Sequence, residues 1–456
     1  MKNRFLAILA AASPLWIVTS VTAAPEVASP TTGDGHGLEP MILIGLAVML
    51  IVAKLGGELF ERIGQPAVLG ELLGGILIGN LVLFGFTGAE ALKTNEVIAA
   101  IAEIGVIILL FEVGLESDLK EMMEVGWSSL LVAVLGVIAP FLLGWGVSAY
   151  FIPEEPRLVH IFIGATLCAT SVGITARVFK DLGKVATREA RIILGAAVID
   201  DVLGLMILAV VAGAIKATAT GVTLSMMGVG IIAAKALAFL IGSIVLGQFI
   251  VPRLLRGAGR LESGGVLLTL AISFCLFLSW AAAKVDLAPI VGAFAAGLVL
   301  DEVHYKPARA RKERNLQDLL QPVSLVLVPI FFILMGMKVD LRFFGRPELL
   351  GFALVLTLAA IIGKQVCSLG VLERGTNRLA IGLGMIPRGE VGLIFAGIGA
   401  TLILPNASGV REAVIRPETF GAVVIMVIAT TLATPPLLKW SLARKIGGRK
   451  AEGTGQ

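Results

Sequence analysis

The sequence predicts an all-α polytopic membrane protein: thirteen transmembrane helices forming two inverted six-helix repeats plus a linking helix, with the fifth and twelfth helices discontinuous. Three observations predict this. Of the 456 residues, 57% are hydrophobic and 15% are charged, against about a quarter charged in soluble domains. Apolar runs of the ~20 residues that span a bilayer recur at near-regular spacing. Finally, residues 222 positions apart repeat one another.

The composition excludes several function classes. With a mean hydropathy of +0.94, the chain could not give a water-facing shell enough polar cover to be a soluble multidomain enzyme or a disordered chain. The formal net charge is only +4, and no basic stripe is interleaved with aromatics, so no nucleic-acid partner is expected. Cys168, Cys275 and Cys367 form no CxxC pair, which argues against a zinc site or a disulfide framework. His36, His160 and His304 lack ligand spacing. No cofactor is expected, and membrane lipids surround the chain.

Residues 1–24 read as a signal peptide: Lys2 and Arg4 precede an apolar stretch that ends in Val21, Thr22 and Ala23. Residues 25–40 form a polar external linker. The apolar runs follow at 41–62, 66–86, 97–116, 127–151, 158–180, 191–214, 222–251, 264–284, 287–301, 321–338, 347–372, 378–402 and 419–441. With the mature N-terminus outside, the inner loops collect Arg177, Lys180, Lys184, Arg188 and Arg191, then Arg253, Arg256 and Arg260, then Lys306, Arg309, Arg311, Lys312 and Arg314. The outer loops hold isolated bases such as Lys93, Arg157 and Lys216. This asymmetry obeys the positive-inside rule and leaves the basic tail 442–456 in the cytoplasm of an inner (plasma) membrane protein.

The repeat pairs 41–214 with 264–441. Gly70 and Gly75 match Gly292 and Gly297, while Gly114, Asp118 and Leu119 match Gly336, Asp340 and Leu341. The single run between them, 222–251, turns the second unit over in the membrane. Inverted repeats characterise secondary transporters, whose sites lie where interrupted helices of the two halves meet. The fifth run holds Ala169, Thr170, Ser171, Val172 and Gly173, and the twelfth holds Pro387, Arg388, Gly389 and Glu390. Unwound backbone at this depth is tolerated where it is buried in protein or lines a cavity.

Charges inside the runs mark the candidate residues. Asp200 and Asp201 stand side by side within the sixth run, where a lone charge costs roughly 2.5–3.5 kcal/mol on insertion scales. Neighbours on a helix point about 100° apart, so the two carboxylates have separate tasks. Lys364, deep in the eleventh run, needs a carboxylate partner or must lose its proton, and Asp200 is the candidate partner. Lys54 and Glu58 stand four apart and are expected to pair. Glu71, Glu103, Glu112 and Lys235 are expected to find structural partners on other helices. Arg388 and Glu390 flank a helix break and are expected to hold it open.

Four segments carry a family resemblance: 169–178 (ATSVGITARV), 191–204 (RIILGAAVIDDVLG), 288–294 (APIVGAF) and 387–394 (PRGEVGLI). They resemble the NapA-type Na+/H+ antiporters of the cation:proton antiporter-2 group, over about residues 41–441. The resemblance implies an NhaA/NapA-like fold with crossed discontinuous helices. It implies that Asp201 binds cation and proton in alternation and that Asp200 pairs with Lys364. Thr170 and Ser171 would lie at the unwound crossing beside the site, with Pro387, Arg388 and Glu390 at the facing break. It further implies a homodimer in which a six-helix core moves like an elevator against a dimerisation unit. Glu112 stands where an apolar residue is implied, and a cleaved signal is unusual in this group.

The expected function is therefore electrogenic exchange of monovalent cations, Na+ and with it Li+, for protons. The rival is K+/H+ exchange or Kef-like potassium efflux. Kef-type relatives carry a cytosolic nucleotide-binding domain after the last helix, which is not expected here. An intramembrane aspartyl protease needs carboxylates from two helices converging on one water, and these two are sequence neighbours. A receptor or structural membrane protein has no need of an inverted repeat with buried ion-pairing groups.

Overall fold

The computed structural model describes residues 40–85, 88–116, 126–184, 187–219, 226–258, 265–308, 316–405 and 411–443. The expected signal peptide, nearly all of the external linker and the tail beyond 443 lie outside these residues. Before the linking helix come α1 (Pro40–Arg62), α2 (Ala67–Gly79), α3 (Glu96–Glu116), α4 (Trp127–Phe151), α5 (Arg157–Thr166), α6 (Val172–Asp181) and α7 (Arg188–Ala219). The linking run forms α8 (Met226–Ala258). After it come α9 (Val266–Lys284), α10 (Pro289–Ala308), α11 (Leu316–Met337), α12 (Pro347–Val366), α13 (Arg378–Gly384), α14 (Gly389–Thr401) and α15 (Pro417–Ala443).

Among the described residues, nine helices are long and apolar enough to cross a membrane, or ten if α13 and α14, bent by 44°, count as one span. The chain is thus a mostly helical, multi-pass membrane protein. Several helices overrun their apolar runs because polar flanks continue the backbone hydrogen bonds. The ninth run, 287–301, is the apolar part of a helix that reaches Ala308. A hairpin of β1 (Ile403–Pro405) and β2 (Arg411–Ala413) between α14 and α15 has no counterpart in the hydropathy pattern.

Two of the runs break. In the fifth, Leu167 and Cys168 bond back to Gly164 and Ala165, so the helix tightens and ends before Ala169. In the twelfth, Pro387 lacks a backbone donor and biases Ile386 away from helix. Gly389 then restarts the chain at φ +43°, a conformation that suits glycine.

The helices pack through small residues, as lipid-solvated helices do. α2 lies on α11 and α3 on α10. Gly75 abuts the backbone of Ile333, and a Cβ on Gly336 would stand 2.9 Å from the Gly75 Cα. In the other pair, Gly297 abuts the Phe111 carbonyl, and a Cβ on it would stand 2.7 Å from the Gly114 Cα. Gly75 and Gly297 are 222 residues apart, as are Gly114 and Gly336, so the two contacts exchange roles. α4 and α12 pack on each other, with Gly363 seated on Pro140. Apolar side chains left on the outside, such as Leu55, Leu77 and Phe249, face the position of lipid.

Gly297→Leu should lower the melting temperature in detergent, with a cost of at least about 1–3 kcal/mol for overpacking. An unchanged melting temperature would mean that α3 and α10 do not approach this closely.

Candidate ion-binding site

The site begins with α7, an apolar helix that carries two adjacent carboxylates. Asp200 is 0% exposed and Asp201 is 9% exposed. α12 brings Lys364, also 0% exposed, against Asp200, with Nζ donating to Oδ1 at 3.0 Å and to Oδ2 at 3.2 Å. Each charge alone would be costly here; together they satisfy one another. Among the described residues, Asp201 has no ion-pair partner.

The two breaks cross beside this pair and are stitched across it. The Ser171 amide donates to the Pro387 carbonyl at 2.8 Å. The Thr170 hydroxyl donates to the Met385 carbonyl at 3.3 Å, and that of Thr175 to the Gly384 carbonyl at 2.6 Å. The Ser171 hydroxyl lies 2.9 Å from both Glu390 carboxylate oxygens. Each segment's free backbone groups are thus met by the other's, which is what unwound backbone inside a membrane requires.

Arg388 completes the crossing. Its guanidinium is 0% exposed; Nη1 donates to the carbonyls of Cys168 at 3.2 Å and Ala169 at 2.6 Å, and Nη2 to that of Ala360 at 3.4 Å. These first two carbonyls follow the end of α5, where the helix dipole is negative, so the cation offsets that charge. Gly389 donates its amide to the Thr431 hydroxyl at 3.1 Å. A Cβ on Gly389 would stand 2.6 Å from the Ser171 hydroxyl oxygen, so a larger residue would disturb the crossing.

Asp201 adjoins this structure. One turn further along α7, Gly204 packs on Ala169 and Phe395, on the two broken runs. Asp201 is therefore buried in protein beside both breaks.

The structure brings together Asp200, Asp201, Thr170, Ser171, Lys364, Pro387, Arg388 and Glu390. Two further participants escape a reading based on charge. Thr175 and Thr431 announce themselves only as hydroxyls within apolar runs. One expected pairing changes, that of Lys54 with Glu58. Glu58 pairs with Arg62 at 2.9 Å, because a base C-terminal to an acid at this spacing is well placed at the polar end of α1. Lys54 is therefore not its partner. Glu112 accepts a hydrogen bond from Ser324 of α11 at 2.6 Å, and Lys235 lies 3.9 Å from Asp286.

Residues 47–442 match the family described as sodium/hydrogen exchanger, transmembrane. The chain belongs to the sodium/hydrogen exchanger family. This membership agrees with the resemblance carried by the four segments. This family member is 38% identical to a high-affinity Na+/H+ antiporter, NhaS3, of Synechocystis, over 96% of each chain. It is 34% identical to the Na+/H+-K+ antiporter GerN of Bacillus cereus, covering 89% of this chain and 97% of that one. Its fold is similar to that of the sodium proton antiporter MjNhaP1 of Methanocaldococcus jannaschii, with a TM-score of 0.67 at 18% identity, over 89% of this chain and 99% of that one. The family is one of cation/proton antiporters, for which transported ions are substrates.

Lys364→Ala strands the Asp200 carboxylate in a sealed site and should cost about 3–5 kcal/mol of stability. Thermal unfolding in detergent checks this, and adding Asp200→Ala to the variant should restore much of the loss. An unchanged melting temperature in the single variant would remove the pair as a structural element.

Proposed function

We propose that the protein exchanges Na+, and with it Li+, for protons across the plasma membrane by alternating access at Asp201. One observation carries this reading: of two adjacent buried carboxylates, Asp200 is neutralised by Lys364, while Asp201 retains access and has no counter-charge of its own among the described residues. A carboxylate so placed gains from binding a proton or a hard cation, and its one negative charge does not hold both. Competition for that charge couples the two fluxes. Hydroxyls and backbone at the crossing, Thr170 and Ser171 among them, supply further oxygen atoms beside the carboxylate.

Exchange on this reading is electrogenic. Asp201 and the Asp200–Lys364 pair each handle a proton, so more than one proton crosses per cation. The framework is two inverted six-helix repeats, 41–214 and 264–441, around the linking helix, giving thirteen spans with the mature N-terminus outside and the C-terminus in the cytoplasm. Support comes from the element order: shifted by 222 residues, α1–α7 fall on α9–α15, with a break in the same place in each half. The proposed working unit is a homodimer whose core, carrying the crossing, moves against the rest.

A second reading, exchange of K+ for protons, is favoured by the name of the GerN relative as an Na+/H+-K+ antiporter. Proteoliposomes loaded with a pH dye, offered Na+, Li+ or K+ in turn, separate the two. Na+ and Li+ should drive proton movement, and a response to K+ alone would replace the first reading with the second. Asp201→Asn should abolish cation-driven proton movement; wild-type rates in that variant would refute the site. Lys364→Ala, where it reconstitutes, should remove the dependence of the rate on an imposed membrane potential, and a retained dependence would detach the ion pair from electrogenicity.

A further inference from the structure

The two halves match in element order but not in packing. Shifted by 222 residues, α3 falls on α11 and α6 on α14. α14 packs on α2 and α11. A Cβ on Gly397 of α14 would stand 2.8 Å from the Met335 Sδ and 3.7 Å from the Phe331 ring of α11, and both of those side chains are buried. α6 packs on α7 and α15. Leu109 and Val113 of α3, which match Phe331 and Met335, are only half-buried. Gly173 of α6 is exposed, with nothing within 4 Å of where a Cβ would stand, whereas its match Phe395 of α14 is buried. One seam is thus shut, and the matching seam of the other half is open.

Lys338 lies at the rim of the shut seam. Its amide bonds to the Leu334 carbonyl at 3.3 Å, so the helical step continues past Met337. At ~100° per residue, positions 331, 335 and 338 fall within about 60° of one another. Lys338 therefore stands one turn beyond Met335 on the face that meets α14. It is half-buried and has no ion-pair partner among the described residues. The acid closest in sequence, Asp340, accepts the Arg342 amide at 2.9 Å and lies 4.0 Å from the Arg342 guanidinium. The position on α3 that matches Lys338 is Glu116, which is exposed. The two rims carry opposite charges at one position of the repeat.

The shut seam leads to the ion site. Phe395, two residues before Gly397 in α14, packs on Gly204, which lies one turn from Asp201 on α7. A cation that reaches Asp201 along this seam passes Lys338, and one that uses the open seam passes Glu116. An ammonium at the rim repels the cation, and a carboxylate raises its local concentration. Neither charge alters the end point of exchange, which the gradients set. Each alters the concentration at which its side fills the site.

We propose that Lys338 weakens cation binding from its own side of the membrane, which is the outside in the orientation given above, so that the site fills readily from the cytoplasm and empties outward. This assignment rests on the transport reading.

Everted and right-side-out vesicles containing the whole chain, loaded with a pH dye, give the Na+ KM from each side. In Lys338→Gln the KM from the Lys338 side should fall about fivefold, with the KM from the other side unchanged. Lys338→Arg should keep both wild-type values. In the wild-type protein, added choline chloride should lower the KM on the Lys338 side and raise it on the Glu116 side, because salt screens repulsion and attraction alike. An unchanged KM in Lys338→Gln, an equal change from both sides, or salt shifts of the same sign on both sides would overturn the proposal and leave exchange itself standing. If Lys338→Gln does not fold, the salt dependence of the wild-type protein decides alone. Wild-type vesicles without Na+-driven proton movement would refute the transport reading, and this proposal with it.

Discussion

Inside a bilayer, a charge or an open backbone group has no water to fall back on and must find its partner in the protein. That constraint organises the centre of this molecule. The buried ammonium of Lys364 lies on Asp200, and the buried guanidinium of Arg388 lies on carbonyls freed where α5 ends. The backbone freed at one break is met by hydroxyls and carbonyls at the other. Removing a member of this set leaves its partner buried and unsatisfied, so the crossing and the scaffold are the same structure.

Against that background, Asp201 differs from Asp200 in being buried without a fixed opposite charge among the described residues. Asp200 is fully enclosed and held by Lys364. α7 thus places a paired carboxylate and one without an ion-pair partner among the described residues in consecutive positions. The helical step turns one side chain toward α12 and leaves the other beside the crossing.

Much of this was legible in the residue order. The apolar runs located the helices, because a span length is set by bilayer thickness rather than by tertiary contacts. Pro387 and the hydroxyl-rich stretch around Thr170 marked the breaks. The partnership of Asp200 with Lys364 followed from the cost of leaving either alone. Pairings nearer the polar ends were less legible: Glu58 takes Arg62 rather than Lys54, since several partners lie within reach there and small geometric differences choose among them. The hydroxyl of Thr431, which fixes the Gly389 amide, carries no charge and so gives no signal in a hydropathy pattern. The β1–β2 hairpin is too short to register as a period.

By itself, then, the sequence determined that the chain lives in a membrane, where its helices run and break, and which side chains are too costly to be idle, because each of these follows from transfer energies along the chain. Tertiary structure alone decided that the breaks cross, that Arg388 serves the opposite segment rather than its own, and that glycines 222 residues apart form reciprocal contacts between α2 and α11 and between α3 and α10. These are distances between segments remote in the chain, and they are fixed by how closely two backbones approach.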